Sequence, residues 1–262
     1  LGDVYKRQVM MQERICRWVR VMAMVSVAVP MTVSAQETEQ ELSLYTDLYI
    51  DASKRADFET FHLNRNARLA AADVTFGFVS AVSDRGTYRF VRNGFPDMAA
   101  FDIRAAQMSR AAPPRPETLP LGEAIERVES SIRRQRSELG YVPADPRITP
   151  DEYGFFRELS FYLRGGADTQ AVDVIRRFRA LYEAHEIEMG YSVNSLVVGA
   201  GANYRVIFFA RDAGDFYGAI DEAIDKMGEE YQSLVAELYA LCKRTESTNW
   251  TIRRDLNYQP AN

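Results

Sequence analysis

A strand-then-helix pattern occurs twice in the chain, as YRFVRNGFPDMAAFD at 88–102 and as YRVIFFARDAGDFYGAID at 204–221. Tyr88 and Tyr204 are 116 positions apart (204 − 88), and each copy runs from Tyr-Arg through an apolar strand into a segment rich in Ala, Phe and Asp. Downstream, each copy reaches an aromatic residue, an aspartate and a proline in that order: Tyr141, Asp145 and Pro150, then Trp250, Asp255 and Pro260. A period of about 110 residues is a common domain size. It excludes a solenoid of short repeats, whose periods run roughly 20–50 residues.

The segment ahead of the first copy reads as an export signal. Residues 1–9, beginning LGDVYKRQ, are set apart as adapter-derived translation, with starts available at Met10 or Met11. Residues 10–35 then give a basic region of Arg14, Arg17 and Arg20, an apolar run at 21–33, and the small-residue site Val33-Ser34-Ala35, which is the order of a secretory signal peptide. The apolar run is interrupted by Pro30 and is shorter than the roughly 20 residues needed to span a bilayer. The exported chain is therefore expected to begin at Gln36 and to work outside the cytoplasm, in a periplasm or beyond.

Charge and cysteine content narrow the partners. The 32 basic and 37 acidic residues, less Lys6, Arg7, Arg14, Arg17, Arg20, Asp3 and Glu13, leave 27 against 35 after cleavage, a net charge near −8. An acidic surface argues against nucleic acid and, once the signal is removed, against an anionic membrane. Cys16 leaves with the signal, so Cys242 stands alone and no intramolecular disulfide can form. Stability must come from apolar burial, which two units of this size can supply as a monomer or weak oligomer.

Taken in order, the chain predicts a strand at 42–50, a helix at 54–72 capped by Asp51 or Ser53, strands at 74–82 and 87–93 around the turn Ser83-Asp84-Arg85-Gly86, and a helix at 95–109. A proline-rich loop at 111–120 follows, then an amphipathic helix at 121–139 on Ile125, Val128 and Ile132. Pro143, Pro146 and Pro150 permit only an irregular edge strand before a boundary near 150. The second copy predicts a strand at 155–163, a helix at 169–188, strands at 191–198 and 204–210, a helix from Asp212 or Asp215, a further helical segment at 229–244 and a strand at 247–257. The units are thus 36–150 and 151–262.

Strand, helix, hairpin, helix, strand is the ferredoxin-like βαββαβ order. Two such units, with their shared Tyr-Arg strand and the AFD/AID helix, resemble a duplicated member of the dimeric α/β-barrel superfamily over 41–260. The resemblance implies an α+β fold in which two tandem ferredoxin-like units pack sheet to sheet as an intramolecular barrel, with helices outside. Its members include cofactor-independent monooxygenases, haem-binding enzymes and ligand-binding domains, so fold does not choose among activities.

The residues themselves carry little chemistry. Of the two histidines, His185 extends the stripe Val174, Phe178, Leu181 and is the candidate haem ligand, weighed against a structural histidine on the packed helix face; the copies place no histidine opposite either one. No Cys/His/carboxylate cluster has zinc spacing, no G-x-S-x-G is present, and the glycines at 199 and 201 precede a strand, as hairpin glycines do. Pairing Ser80 beside Arg89 across a four-residue turn puts Phe76, Phe78, Ser80, Arg89 and Val91 on one face; in the second hairpin, Ser192, Asn194, Leu196, Arg205 and Ile207 share the corresponding face. That places Arg89, Arg205, Asn93, Asn194 and Ser80 in the barrel interior, where they would bind a small anionic or aromatic ligand without a cofactor. The competing expectation is that each arginine pairs with an acid such as Asp47 or Glu158 and simply closes the barrel. The function expected is small-molecule binding. The alternatives are a cofactor-independent monooxygenase, a haem-binding protein and a non-catalytic interaction protein.

Overall fold

The computed structural model describes residues 41–111 and 122–260. The expected export signal with its expected cleavage site, and residues 112–120 of the expected proline-rich loop, lie outside the described residues. Eight strands close into one barrel in the order β1-β3-β2-β8-β5-β7-β6-β4, every pairing antiparallel. The first unit supplies β1 (Leu42–Ile50), α1 (Arg55–Ala71), β2 (Val79–Ser83), β3 (Thr87–Phe95), α2 (Ala99–Arg110) and β4 (Ile125–Gln135). The second supplies β5 (Phe155–Leu163), α3 (Asp168–Ala184), β6 (Ser192–Gly199), β7 (Tyr204–Ala210), α4 (Ala213–Ala240) and β8 (Cys242–Ile252). Within each unit the order is fourth strand, first, third, second, the ferredoxin-like arrangement. The two sheets face each other across the interior and also join at both edges, β2 to β8 and β4 to β6, so no free edge remains.

Each strand alternates between two environments. In β1, Leu42, Leu44, Leu48 and Ile50 turn one way and Ser43, Tyr45 and Asp47 the other. The outward set packs under the helices in two separate cores. One gathers Phe58, Leu69, Phe78, Tyr88 and Phe90 beneath α1; the larger gathers Val174, Ile175, Val193, Phe208, Phe216 and Leu234 beneath α3 and α4. A third, small cluster of Ala81, Phe156, Ile207 and Trp250 lies inside the barrel.

Five expectations are corrected. Residues 125–135 form β4, not part of a helix, because the spacing of Ile125, Val128 and Ile132 is incidental: Val128 is 53% exposed, and the inward residues of the strand are the polar Ser131 and the fully buried Arg133. With β4 placed there, the irregular strand near 143–150 reduces to one bridge, Tyr141 to Tyr191. Strand β2 begins at Val79, since the chain at 74–78 meets the C-terminal segment; a Cβ on Gly77 would sit 2.7 Å from Tyr258 O. Helix α2 starts at Ala99 because Phe95 stays in β3 and stacks on Phe101 at 3.8 Å. The closing strand starts at Cys242, immediately after α4, which breaks at Gly228 (φ 59°) where two helical segments were expected.

Candidate functional site in the barrel interior

The second hairpin has the expected register, Asn194 opposite Arg205 and Ser192 opposite Ile207. The first is shifted by one. Ser83 Oγ accepts the Thr87 amide at 3.0 Å across the turn, and Ala81 rather than Ser80 stands opposite Arg89. Ser80 therefore falls on the strand's other face, with its hydroxyl within hydrogen-bond distance of Arg253 O (3.0 Å) and Asn257 Oδ1 (2.8 Å), and it still contributes to the lining of the larger interior cavity described below.

Arg89 and Arg205 do reach one interior layer, and the acids foreseen for them are there. Asp47 accepts from Arg89 Nε at 2.7 Å and Nη2 at 2.8 Å, a bidentate pair, while Arg89 Nη1 donates to Glu158 from the other unit. The Arg89 guanidinium also lies 4.0 Å from the Trp250 ring centroid. Arg205 is held more loosely, 3.8 Å from Asp47 and 3.5 Å from Glu158, with no hydrogen bond to either. Arg133 joins the layer from β4. Among the described residues, its one hydrogen bond is Nη2 to Ala202 O at 3.0 Å, and Nε and Nη1 are buried without partners there. Sequence reasoning missed Arg133 because the helical reading of 121–139 gave it no inward direction.

Among the described buried side chains of this layer, three arginines therefore face two carboxylates, a net charge of +1. Burial alone would raise Asp47 and Glu158, but the arginines outweigh it and hold both below the usual carboxylate range. Burial, with Arg205 next, pulls Arg133 down to about 9, so it remains a cation at neutral pH. Burial also raises the Tyr45 hydroxyl, and the Tyr45 ring has Arg205 at 5.4 Å and Arg89 at 5.5 Å from its centroid.

The charged layer divides the interior. Towards one end lies a cavity of about 570 Å³ with Tyr45, Phe156, Ile207 and Phe209 on its walls, and Ser43, Asn93, Asn194 and Arg89 among its polar groups. Towards the other lies a polar pocket of about 130 Å³ reached by Asp47, Glu158, Ser160, Gly201 and Arg205. Asn194 is thus buried in the larger cavity, Asn93 is exposed at its margin, and Arg205 borders the smaller pocket. A third chamber, about 210 Å³, lies outside the barrel between the second sheet and its helices, among Phe161, Phe178, Tyr182, Tyr191, Phe208 and Tyr231. The Tyr182 and Tyr191 hydroxyls are buried there without partners.

His185 is not on the packed face. It is exposed at the C-terminal cap of α3 and lines none of these three spaces. The buried histidine is His62, stacked on Phe90 at 4.3 Å, whose pKa burial drives down to about 3. Among the described residues, no three potential metal ligands cluster.

No family model matches the chain, and no curated protein is similar to it in sequence. Solved structures do match it. An anthrone oxidase-like protein superposes with a TM-score of 0.58 at 13% identity, over 82% of this chain and 92% of that one. The fold is that of the dimeric α/β barrels. A candidate monooxygenase from Lactobacillus acidophilus NCFM matches with a TM-score of 0.51 at 10% identity, over 84% of this chain and 96% of that one. Chlorite dismutase from Candidatus Nitrospira defluvii, in complex with imidazole, matches with a TM-score of 0.51 at 9% identity, over 83% and 93%. At these identities the likeness is one of architecture.

Proposed function

We propose that this is an exported small-molecule-binding α/β-barrel protein, and that its ligand is a small aromatic compound held in the cavity beside the charged layer. The observation that carries the reading is the cavity itself. Its volume of about 570 Å³ lies within the usual range for ligand sites, roughly 300–1,000 Å³, and the charged layer forms its floor. Tyr45, Phe156 and Phe209 offer ring faces, and Asn194 and Ser43 offer hydrogen bonds to a polar end. Arg89 is already engaged by two carboxylates, so it shapes the floor without demanding a charged ligand. Export rests on the residues around Val33-Ser34-Ala35.

Trp250 is the one tryptophan beyond the export signal and stacks on Phe156 at 5.7 Å, against the cavity wall. Titration with anilinonaphthalene sulfonate, and with a panel of phenols and benzoates, should change Trp250 emission saturably. Asn194→Leu should weaken the response at least tenfold. No saturable response to any probe, together with no retained small molecule in native mass spectrometry, would leave the barrel as a scaffold.

A second reading, an oxidase acting on an aromatic substrate, draws on the chamber outside the barrel. Its two unpartnered tyrosine hydroxyls suit a carbonyl or phenol on an otherwise apolar molecule. Oxygen-dependent turnover of an anthrone that is lost in Tyr191→Phe, with Trp250 titration unaffected, would favour this reading over the first.

A further inference from the structure

The connection between the two units builds a second space against the larger cavity. After β4 the chain makes the bridge from Tyr141 to Tyr191, and just before β5 it brings the Tyr153 ring flat against Phe209, with centroids 4.5 Å apart and planes 10° from parallel. The stretch between is pinned. Pro143, Pro146 and Pro150 each lock one backbone angle. Arg147 Nη1 donates to Asp215 at 2.5 Å, and Arg254 Nη2 donates to the carbonyls of Asp151 (2.7 Å) and Tyr153 (2.8 Å). Gly190 lets the connection lie close to the chain ahead of β6: a Cβ there would sit 2.9 Å from both Pro143 Cδ and Tyr141 O.

The groove formed in this way has a volume of about 320 Å³ and is walled by Val142, Pro143, Pro146, Ile148 and Met189. The polar side chains that the connection brings to it are already engaged, Arg147 by Asp215 and Thr149 by Glu152, and Glu188 at its edge is exposed. Groove and cavity have Pro150, Tyr153, Ser192 and Phe209 in common, so the two spaces adjoin at those residues. Their chemistry differs. The cavity offers ring faces together with Ser43, Asn194 and Arg89, whereas the groove offers aliphatic surface. A molecule that fills both has a polar aromatic end and an apolar end.

We infer that the ligand is an aromatic compound carrying an unbranched aliphatic chain, with its ring in the barrel cavity and its chain in the groove of the inter-unit connection. This ligand class rests on the aromatic-ligand reading of the cavity and adds the tail to it. An unbranched chain is flexible enough to turn past the stacked rings of Tyr153 and Phe209. The prolines and the bonds from Arg147 and Arg254 hold the groove in shape before the ligand arrives, which lowers the ordering cost of binding.

The test is calorimetric titration of the full chain with 4-ethylphenol, 4-butylphenol and 4-hexylphenol. Binding should occur at one site per chain and tighten about fourfold for each added methylene, which makes the hexyl compound roughly two-hundredfold tighter than the ethyl compound. The double variant Val142→Asp, Pro146→Asp puts two carboxylates in the groove wall, and should cut the ratio between the hexyl and ethyl compounds to about tenfold or less. Val142 is 86% exposed and Pro146 is exposed, so the fold tolerates both changes, and a thermal melt of the variant checks this. Binding of 4-ethylphenol with a gain of less than about twofold per methylene overturns the tail and leaves the cavity reading in place. A ratio that is unchanged in the double variant also overturns it, since the chain then lies elsewhere. Failure of all three phenols to bind sinks the cavity reading and the tail together.

Discussion

Asp47→Asn probes the charged layer at its most heavily used acceptor. In the folded protein Asp47 takes two hydrogen bonds from Arg89, at 2.7 and 2.8 Å, and lies 3.8 Å from Arg205. Neutralising it leaves three buried arginines with Glu158 alone, so the layer's net charge rises from +1 to +2. Removing one partner of a buried ion pair costs about 3–5 kcal/mol. A domain of this size loses roughly 2–4 °C per kcal/mol, so the unfolding midpoint should fall by about 6–20 °C. The control is Asp47→Asn combined with Arg133→Met, which returns the layer to +1 and should recover part of the loss, a coupling of about 0.5–3 kcal/mol. Calorimetry or urea unfolding in gluconate buffer measures both. A single-variant cost under about 1 kcal/mol, or strict additivity in the double variant, would refute the view that this layer is one electrostatic unit. Acid unfolding gives a second check on sign. The folded pKa values of Asp47 and Glu158 are depressed, so their contribution is complete above the unfolded value of about 4 and is lost as pH falls below it, through the folded values. Asp47→Asn should therefore flatten the loss of stability below about pH 4.

Three further outcomes follow from the same geometry. A truncated chain of residues 36–150 should self-associate or unfold without cooperativity, since β2 and β4 lose the edge partners β8 and β6; size-exclusion chromatography with a urea melt that showed a cooperative monomer would contradict this. Gly199→Ala should cost at least about 2 kcal/mol in urea unfolding, because φ is +105° and the new Cβ would meet Ser130 O at 2.6 Å and Ser131 Cα at 3.0 Å, where β6 joins β4. Tyr191→Phe removes a buried hydroxyl with no partner and should leave stability unchanged or raise it by up to about 1–3 kcal/mol; a clear loss on thermal unfolding would show that the hydroxyl is satisfied after all.

What could be read from the sequence was whatever rests on local period and on repetition. Strands β1, β5 and β7 have their expected bounds because each is a short run rich in apolar residues, and the duplication alone predicted an internally paired barrel. The acids Asp47 and Glu158 could be named beforehand because buried arginines need partners. Errors arose where an inward face is polar. Strand β4 carries Ser131 and Arg133 towards the interior, so its alternation is invisible to a search for apolar period, and three aliphatic residues at near-helical spacing filled the gap. The first hairpin is shifted by one residue from the expected register, with the Ser83 hydroxyl taking the Thr87 amide at the turn, and the shift moves Ser80 off the face of Arg89. Such errors carry a cost for site finding, because the missed Arg133 is the residue that unbalances the layer.

Duplication within one chain permits what a symmetric homodimer cannot, a single interior site with different halves. Two identical copies would bring either two Asp47 and two Tyr45, or two Ser160 and two Glu158, to the layer, and the surroundings of the two central arginines would be equal. Here, counted from the strand starts, Asp47 corresponds to Ser160, Tyr45 to Glu158 and Arg133 to Trp250, so the surroundings differ at each of the three positions. The outer layers have diverged as well. Counted from the helix starts, Phe58, His62 and Leu69 correspond to Ala171, Ile175 and Tyr182. The first unit fills the space beneath its helix with rings, one of them a histidine that stays neutral, while the second replaces the large Phe58 by Ala171 and has a chamber beneath its helices. The interior pair of Arg133 and Arg205 and the outer chamber thus both lie where one half has departed from the other. Substitutions that restore the lost symmetry, Ser160→Asp inside and Tyr182→Leu outside, therefore test the layer and the chamber more directly than alanine scanning. Each replaces a residue by what the other half already carries at the same place, so an effect is less easily mistaken for a loss of fold.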